Sequence, residues 1–262
     1  MFIQDLPKCV CAGSRFLTDL LKLLEAMGIK RDLVSEKELL EYDWSNIRVK
    51  LVCSIPGMHY GRPSYGLRML ENAVPVIDKE LTFECLGSSL GALDSDWLNE
   101  FIQCAQPSHK AISISDPGKR VKIVFPTMEH VMNSTSGPGA FGTQFHDLKK
   151  WRSSKYPRDS HVCCESIFGA GQPLHAKIIS ATVKGNEKWW YIGSHNFTKS
   201  AWGRIVKSGS AILIANYELG IIFTKEDGQI LFPEGFPYPY KRPAKPYNDK
   251  DLPWIQSLVF GE

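Results

Sequence analysis

Residues 173–203 read PLHAKIISATVKGNEKWWYIGSHNFTKSAWG. His175 to Ser180 alternates, so the pattern predicts an extended strand with His175, Lys177 and Ile179 on one face and Ala176 and Ile178 on the other. Gly185-Asn186 supplies a turn, and Lys188 to Ile192, rich in aromatic and branched residues, returns as a second strand. Gly193-Ser194-His195-Asn196 then leads into small residues that predict a helix start. Backbone N–H groups and the positive helix end would converge there as an anion cradle.

The side chains gathered by this hairpin suit phosphodiester chemistry. Imidazole titrates near neutral pH, so His175 can attack phosphorus when neutral or protonate a leaving oxygen when charged. Lys177 can neutralise a non-bridging phosphate oxygen, and the Asn196 amide can donate to the same group. None of this requires a metal. A lone His-x-Lys is common by chance and is then an ordinary strand histidine beside a solvated lysine. Gly193-Ser194-x-Asn196 after a second strand reverses that choice.

His175-x-Lys177 followed by Gly193-Ser194-x-Asn196 resembles the HxK…GSxN half-motif of the phospholipase D superfamily. Thr182 stands where most members carry an Asp five residues after the Lys. With residues 194–203 and Tyr217-Glu218-Leu219-Gly220, that departure is similar to the second half of the tyrosyl-DNA phosphodiesterase family. Ser88 to Asp94, Trp97-Leu98 and Ile123 to Thr127 resemble the same region, so the likeness covers most of residues 15–225. Of the seven histidines only His175 is followed two positions later by Lys, whereas the family carries two half-motifs. Ile3 to Pro7 resembles the segment that follows the first of them, so the chain is expected to begin just downstream of it.

The resemblance implies an α/β fold: a mixed β-sheet flanked by helices, one half of a phospholipase-D-like two-fold fold. Residues 1–45 would be a remnant of, or connector from, the N-terminal half, and 46–262 the C-terminal catalytic domain with a proline-rich tail. It also implies a metal-independent DNA-repair hydrolase without cofactors, acting in the nucleus. Its partners would be single-stranded DNA or DNA 3′ ends bearing tyrosyl or peptide adducts. A histidine of the absent half would form a phosphohistidine. His175 would protonate the departing phenolate and then activate water, with Lys177, Asn196 and Ser194 holding phosphoryl oxygens. Glu218 would pair with His175 and raise its pKa. Two other arrangements follow from a single half-motif: a homodimer pairing two copies of His175, or an inactive module that binds single-stranded nucleic acid.

Elsewhere, apolar spacing predicts a helix over residues 15–28 stopped by Gly28, and another after Ser35, whose spacing to Glu38 fits a capping box. Residues 1–14 are expected to be poorly ordered or packed unusually. Strands are predicted over 47–54, 81–86, 121–125, 210–216 and 219–223, the last two as core strands. Helices are predicted over 65–73, after an Asp94 or Ser95 cap, and over 127–131. The Ser88-Ser89 loop is a strand-to-helix turn by spacing, and the resemblance makes it a contact for DNA phosphates. Lys149-Lys150-Trp151-Arg152 and Lys155-Tyr156-Pro157-Arg158 mix cations with rings, which suits a single strand; equally, the basic face is simply solvated. From Phe232 the prolines predict an extended surface segment.

At 262 residues and 43% hydrophobic content the chain can bury a substantial core, and it is not disordered. A net charge of +3 permits nucleic-acid binding without demanding it. Seven cysteines without a C-x-x-C pair indicate neither a disulfide framework nor a zinc ribbon. With no apolar run near the roughly 20 residues that span a bilayer, a soluble intracellular protein without membrane partners is expected.

Overall fold

Among the described residues, short runs of branched and aromatic residues, bounded by glycine, proline and serine, build ten strands. These are β1 (Lys50–Ser54), β2 (Gly57–Tyr60), β3 (Thr82–Leu86), β4 (Val121–Phe125), β5 (His161–Cys163), β6 (Lys177–Val183), β7 (Asn186–Gly193), β8 (Arg204–Val206), β9 (Ala211–Ile214) and β10 (Glu218–Thr224). The structure is a computed structural model that describes residues 14–29, 36–61, 64–169 and 171–261. The expectations for residues 1–13 and for Ser35 as a cap lie outside the described residues. Ser14, at their border, caps the helix Arg15–Ala26 by accepting from the Leu17 N–H.

Seven strands form a mixed sheet in the order β1-β10-β7-β6-β3-β4-β5, and β2-β9-β8 form a second, smaller one. Strands β3, β4 and β5 run parallel, and every other neighbouring pair is antiparallel. The α/β class with a mixed sheet flanked by helices is thus what forms. β9 is a core strand as expected, with Ile212 and Ile214 buried in the main core, and it pairs within the small sheet. The Ser200 carbonyl accepts from both Ala215 N and Asn216 N at 3.1 Å, and this clamp redirects the chain between β9 and β10. The β6–β7 turn is Lys184-Gly185, one residue earlier than expected. Both residues have positive φ, 48° and 80°, which matches the twist of a two-residue hairpin.

Alternation along the strands divides the core. Phe83, Cys85, Ile123, Phe125, Ile179, Trp189 and Tyr191 face one side, packed against Leu67, Leu70, Leu98, Phe101 and Ile102 of the helices Leu67–Ala73 and Ser95–Ala105. The Asp94 carboxylate caps the second of these helices at Trp97 N, 2.9 Å away. Trp190, Phe223, Leu86, Val124 and Ile178 face the other side, where Phe236, Tyr238 and Tyr240 cover them. The tail runs over the surface as expected, but it is anchored rather than loose. Tyr240, Trp254 and Ile255 are buried, and Cys163 N donates to Lys245 O, Lys241 N to Glu165 O and Tyr247 N to His161 O. Those bonds pair the tail with the otherwise open edge of β5.

One geometric consequence positions the site. The register pairs Ser54 with Glu218, Gly220 with Gly193, Gly193 with Lys177, Leu86 with Ile178 and with Val124, and Phe125 with Cys163. Lys177, Gly193, Glu218 and the exit of β3 into Gly87-Ser88 thus come to the same edge of the sheet. Side chains far apart in sequence meet there without a long loop.

Candidate active site

β6 begins at Lys177, so His175 sits in the irregular segment just before it. The expected shared face is not how the two residues meet. His175 is exposed while Lys177 is only 6% exposed. The lysine stem curls back, so that Nζ donates to the His175 carbonyl at 2.7 Å and lies 3.1 Å from both ring nitrogens. Gln144 fixes this lead-in segment by donating from Nε2 to the Leu174 carbonyl at 2.8 Å.

The Ser88-Ser89 loop supplies the second wall. Asn196 Oδ1 accepts from Ser88 N at 3.0 Å, Ser89 N at 3.0 Å and Ser88 Oγ at 3.1 Å. Ser88 Oγ in turn accepts from Lys177 Nζ at 2.8 Å. These bonds correct the expectation that the N–H groups and the Ser88 hydroxyl bind phosphate. Ser88 is buried, and its donors are used to hold Asn196. With Oδ1 saturated, the amide Nδ2 is the end of Asn196 left to donate outward. Ser89 is half-buried beside it.

The anion cradle expected at a helix start does not form. The helix is only Lys199–Trp202, and Thr198 caps it by accepting from Ala201 N at 3.1 Å. A different device holds the loop. Buried His195 accepts from Tyr191 OH at Nδ1, 2.5 Å away, and its Nε2–H donates to Ser54 Oγ at 3.0 Å. The tautomer follows from the partners: Ser54 spends its proton on the Ala201 carbonyl at 2.6 Å, and Tyr191 OH also accepts from His195 N at 3.1 Å. Stacking on Trp202 at 4.2 Å completes the enclosure. Burial drives the His195 pKa down to about 3, so it is a neutral structural pin between Ser194 and Asn196. Gly193 and Gly220 make room for it: a Cβ at either would lie within 2.5 Å of the Tyr191 ring or hydroxyl. These paired glycines were the one signal in the sequence from which His195 and Tyr191 were recoverable.

Glu218 does not pair with His175 as expected. Its carboxylate accepts from Ser194 Oγ at 2.5 Å and from Asn216 Nδ2 at 3.1 Å, and Ser194 Oγ also accepts from Leu219 N at 2.9 Å. The Ser194 proton is thereby committed to Glu218 rather than to a phosphoryl oxygen. The His175 pKa is lowered, not raised, first by partial desolvation and then by the Lys177 ammonium beside it. Burial lowers Lys177 to about 8, partly opposed by the Glu218 charge. The edge therefore holds a neutral imidazole open to solvent, a cation that titrates close to neutral pH, and an amide donor.

The basic segment lies on the helix Leu148–Arg152. Trp151 is 7% exposed, with its ring against Tyr156 at 5.6 Å and His161 at 5.1 Å. It cannot stack on a base, and Tyr156 is buried as well. Arg152 is exposed and Lys150 half-buried, so the face carries charge without rings. Among the described residues no group of three or more His, Cys, Asp or Glu could hold a metal ion, and no helix is long and apolar enough to cross a membrane.

Comparison with known proteins bears on this arrangement. The family model described as tyrosyl-DNA phosphodiesterase matches residues 5–248. The chain belongs to that family. A curated relative, tyrosyl-DNA phosphodiesterase 1 of Arabidopsis thaliana, is 27% identical over 82% of the chain. The chain spans 44% of that relative's length. Among solved structures, the yeast tyrosyl-DNA phosphodiesterase superposes with a TM-score of 0.72 at 19% identity, covering 95% of this chain and 68% of the yeast chain. A point mutant of the same yeast enzyme gives 0.74 at 18% identity, with 95% and 67% covered. At these identities the structures speak for the fold alone.

Proposed function

We propose that the chain acts in hydrolysis of tyrosyl and related adducts from DNA 3′ ends, supplying the acid/base half of a divided phosphodiesterase site. The observation that carries the reading is the relay from Lys177 Nζ through Ser88 Oγ to Asn196 Oδ1, which fixes a cation and an outward amide beside an exposed imidazole. A phosphodiester bound there would have one non-bridging oxygen at Lys177 and another at Asn196 Nδ2. Its negative charge would offset the Lys177 field and bring the His175 pKa back up.

In the proposed reaction a nucleophilic histidine from outside this half-motif forms a P–N bond as the bond from phosphorus to the phenolic oxygen breaks. The phenolate takes the proton from His175. Water then displaces the histidine, giving its proton to the now neutral His175. No metal takes part in these steps. Glu218 acts at one remove: it anchors Ser194 and biases Lys177 toward its charged form. Residues 1–45 would serve as the connector to the nucleophile-bearing half, the nucleus as the site of action, and single-stranded 3′ ends as the substrate.

The test is cleavage of a 3′-phosphotyrosyl single-stranded oligonucleotide in EDTA over a protein dilution series, with His175→Ala as control. Binding without cleavage by either protein, and cleavage once a nucleophile-bearing half is added, is the expected result. Cleavage by the chain alone, with a rate that falls faster than linearly on dilution, would replace this reading with a homodimer pairing two His175. Failure of a phosphodiester-capped oligonucleotide to bind would overturn it.

A further inference from the structure

We propose that Phe145 is a stacking platform for a flat aromatic ring carried next to the scissile phosphate; the proposal rests on the phosphodiesterase reading above and names a substrate contact for that site. Phe145 is 47% exposed, and among the described residues its ring packs face or edge against no other aromatic ring. Its backbone, by contrast, is tightly held. Phe145 N donates to Ser88 O at 2.7 Å and Phe145 O accepts from Leu90 N at 3.0 Å. Its neighbours Gln144 and His146 are each 1% exposed; Gln144 ties to Leu174, and His146 sits between Phe125 and Tyr156. With both flanking side chains buried, the Phe145 ring is left outward on an anchored backbone.

The pairing also sets which way the ring faces. Phe145 bridges to Ser89 in parallel register, so their side chains lie on the same side, and Ser89 N is one of the donors that hold Asn196. One loop residue thus separates the ring from the outward amide. A large apolar group left in water on a fixed backbone loses little freedom on binding a planar partner, which favours stacking. Lys149 and Lys150 follow four and five residues on, at the helix Leu148–Arg152, and supply charge for neighbouring phosphates. Two parts of the substrate carry such a ring: the base of the terminal nucleotide and the phenol of the adduct.

Fluorescence anisotropy in EDTA at fixed salt, in a His175→Ala background that prevents turnover, separates the cases. The probes are a 3′-phosphotyrosyl oligonucleotide, the same oligonucleotide with a 3′-phosphopropyl ester, and a phosphotyrosyl version whose terminal sugar is abasic. Phe145→Ala should weaken the first probe roughly tenfold, Phe145→Trp should restore it, and Phe145→Leu should not. If the ring takes the base, the effect of Phe145→Ala vanishes on the abasic probe; if it takes the phenol, the effect vanishes on the propyl ester. Equal binding of all three probes by Phe145→Ala and its parent, with Lys177→Ala weakening all three, overturns the platform and leaves the phosphate site standing. Full rescue by Phe145→Leu overturns it too. No effect of Lys177→Ala on any probe would take down the phosphate site itself.

Discussion

Raising the pH from 7 to 9 should cost the site most of its grip on an anion. Lys177 is nearly sealed from solvent, and its pKa of about 8 lies well under the ordinary lysine value. It is about nine-tenths charged at pH 7 and about one-tenth at pH 9, while an ordinary surface lysine remains about 95% charged. The affinity that depends on the ammonium should therefore fall about tenfold over those two units. The same shift has a stability side with a definite sign. Because the folded-state pKa lies below the unfolded value of 10.5, the charge destabilises the fold below pH 8, and that cost is relieved as the pH rises from 8 to 10.5. The assay is anisotropy of an oligonucleotide capped by a 3′-phosphodiester, which itself does not titrate in this range, with Lys177→Arg as a cation that stays charged. A wild-type profile flat to pH 9.5, or a parallel fall in Lys177→Arg, would refute the reasoning.

Acid should unfold the chain early, since burial lowers His146 to about 4 and His161 and His195 to about 3. Each contributes stability that is present above pH 6.5 and is lost as pH falls toward its folded value, about 2 kcal/mol or a little more apiece by pH 4.5; urea titrations from pH 7 to 4.5 would read the loss. Asn196→Asp puts a second carboxylate oxygen in place of Nδ2. It should weaken phosphodiester binding by about 100-fold or more through repulsion, with the melting temperature moving by no more than a few degrees. Trp151→Ala should cost about 3–5 kcal/mol of stability, as for other buried tryptophans, yet leave oligonucleotide affinity of the folded protein within about twofold; a selective loss of affinity would restore Trp151 as a base contact.

The hairpin and its site were legible because alternation, a turn and three chemically distinct side chains fall within 22 residues, from His175 to Asn196. What was not legible lies in contacts across long separations. Nothing local says that the Ser88 hydroxyl and the Ser88 and Ser89 N–H groups turn inward to Asn196, 107 and 108 residues away. Nor does a charge run say which way its rings point: Trp151 and Tyr156 go inward because His146, His161 and Tyr247 offer them an apolar nest. His195 looked like a bystander in the Ser-His-Asn triplet, and its partner Ser54 is 141 residues away. Glu218 was read from the likeness as a partner for His175, but Ser194 Oγ, just past the end of β7 and opposite Leu219, reaches it at 2.5 Å. The proline-rich tail is the extended segment that its composition predicts, but composition does not show that Phe236, Tyr238 and Tyr240 between the prolines are the apolar cover of a sheet face.

That cover has a consequence for how the molecule is made. Strands β3, β4 and β5 run parallel, a pairing that forms slowly because its contacts are distant in sequence, and the outer strand finds its partner only in residues 241–247. As the chain leaves the ribosome, every residue of the candidate site is in place before the segment that seals β5 and the second sheet face. The sheet thus passes through a stage with one sticky edge and a bare aromatic face, Trp190 and Phe223 included. Synthesis that stalls before residue 236 would yield a sheet that carries His175, Lys177, Asn196 and Glu218 yet is prone to pair with its neighbours.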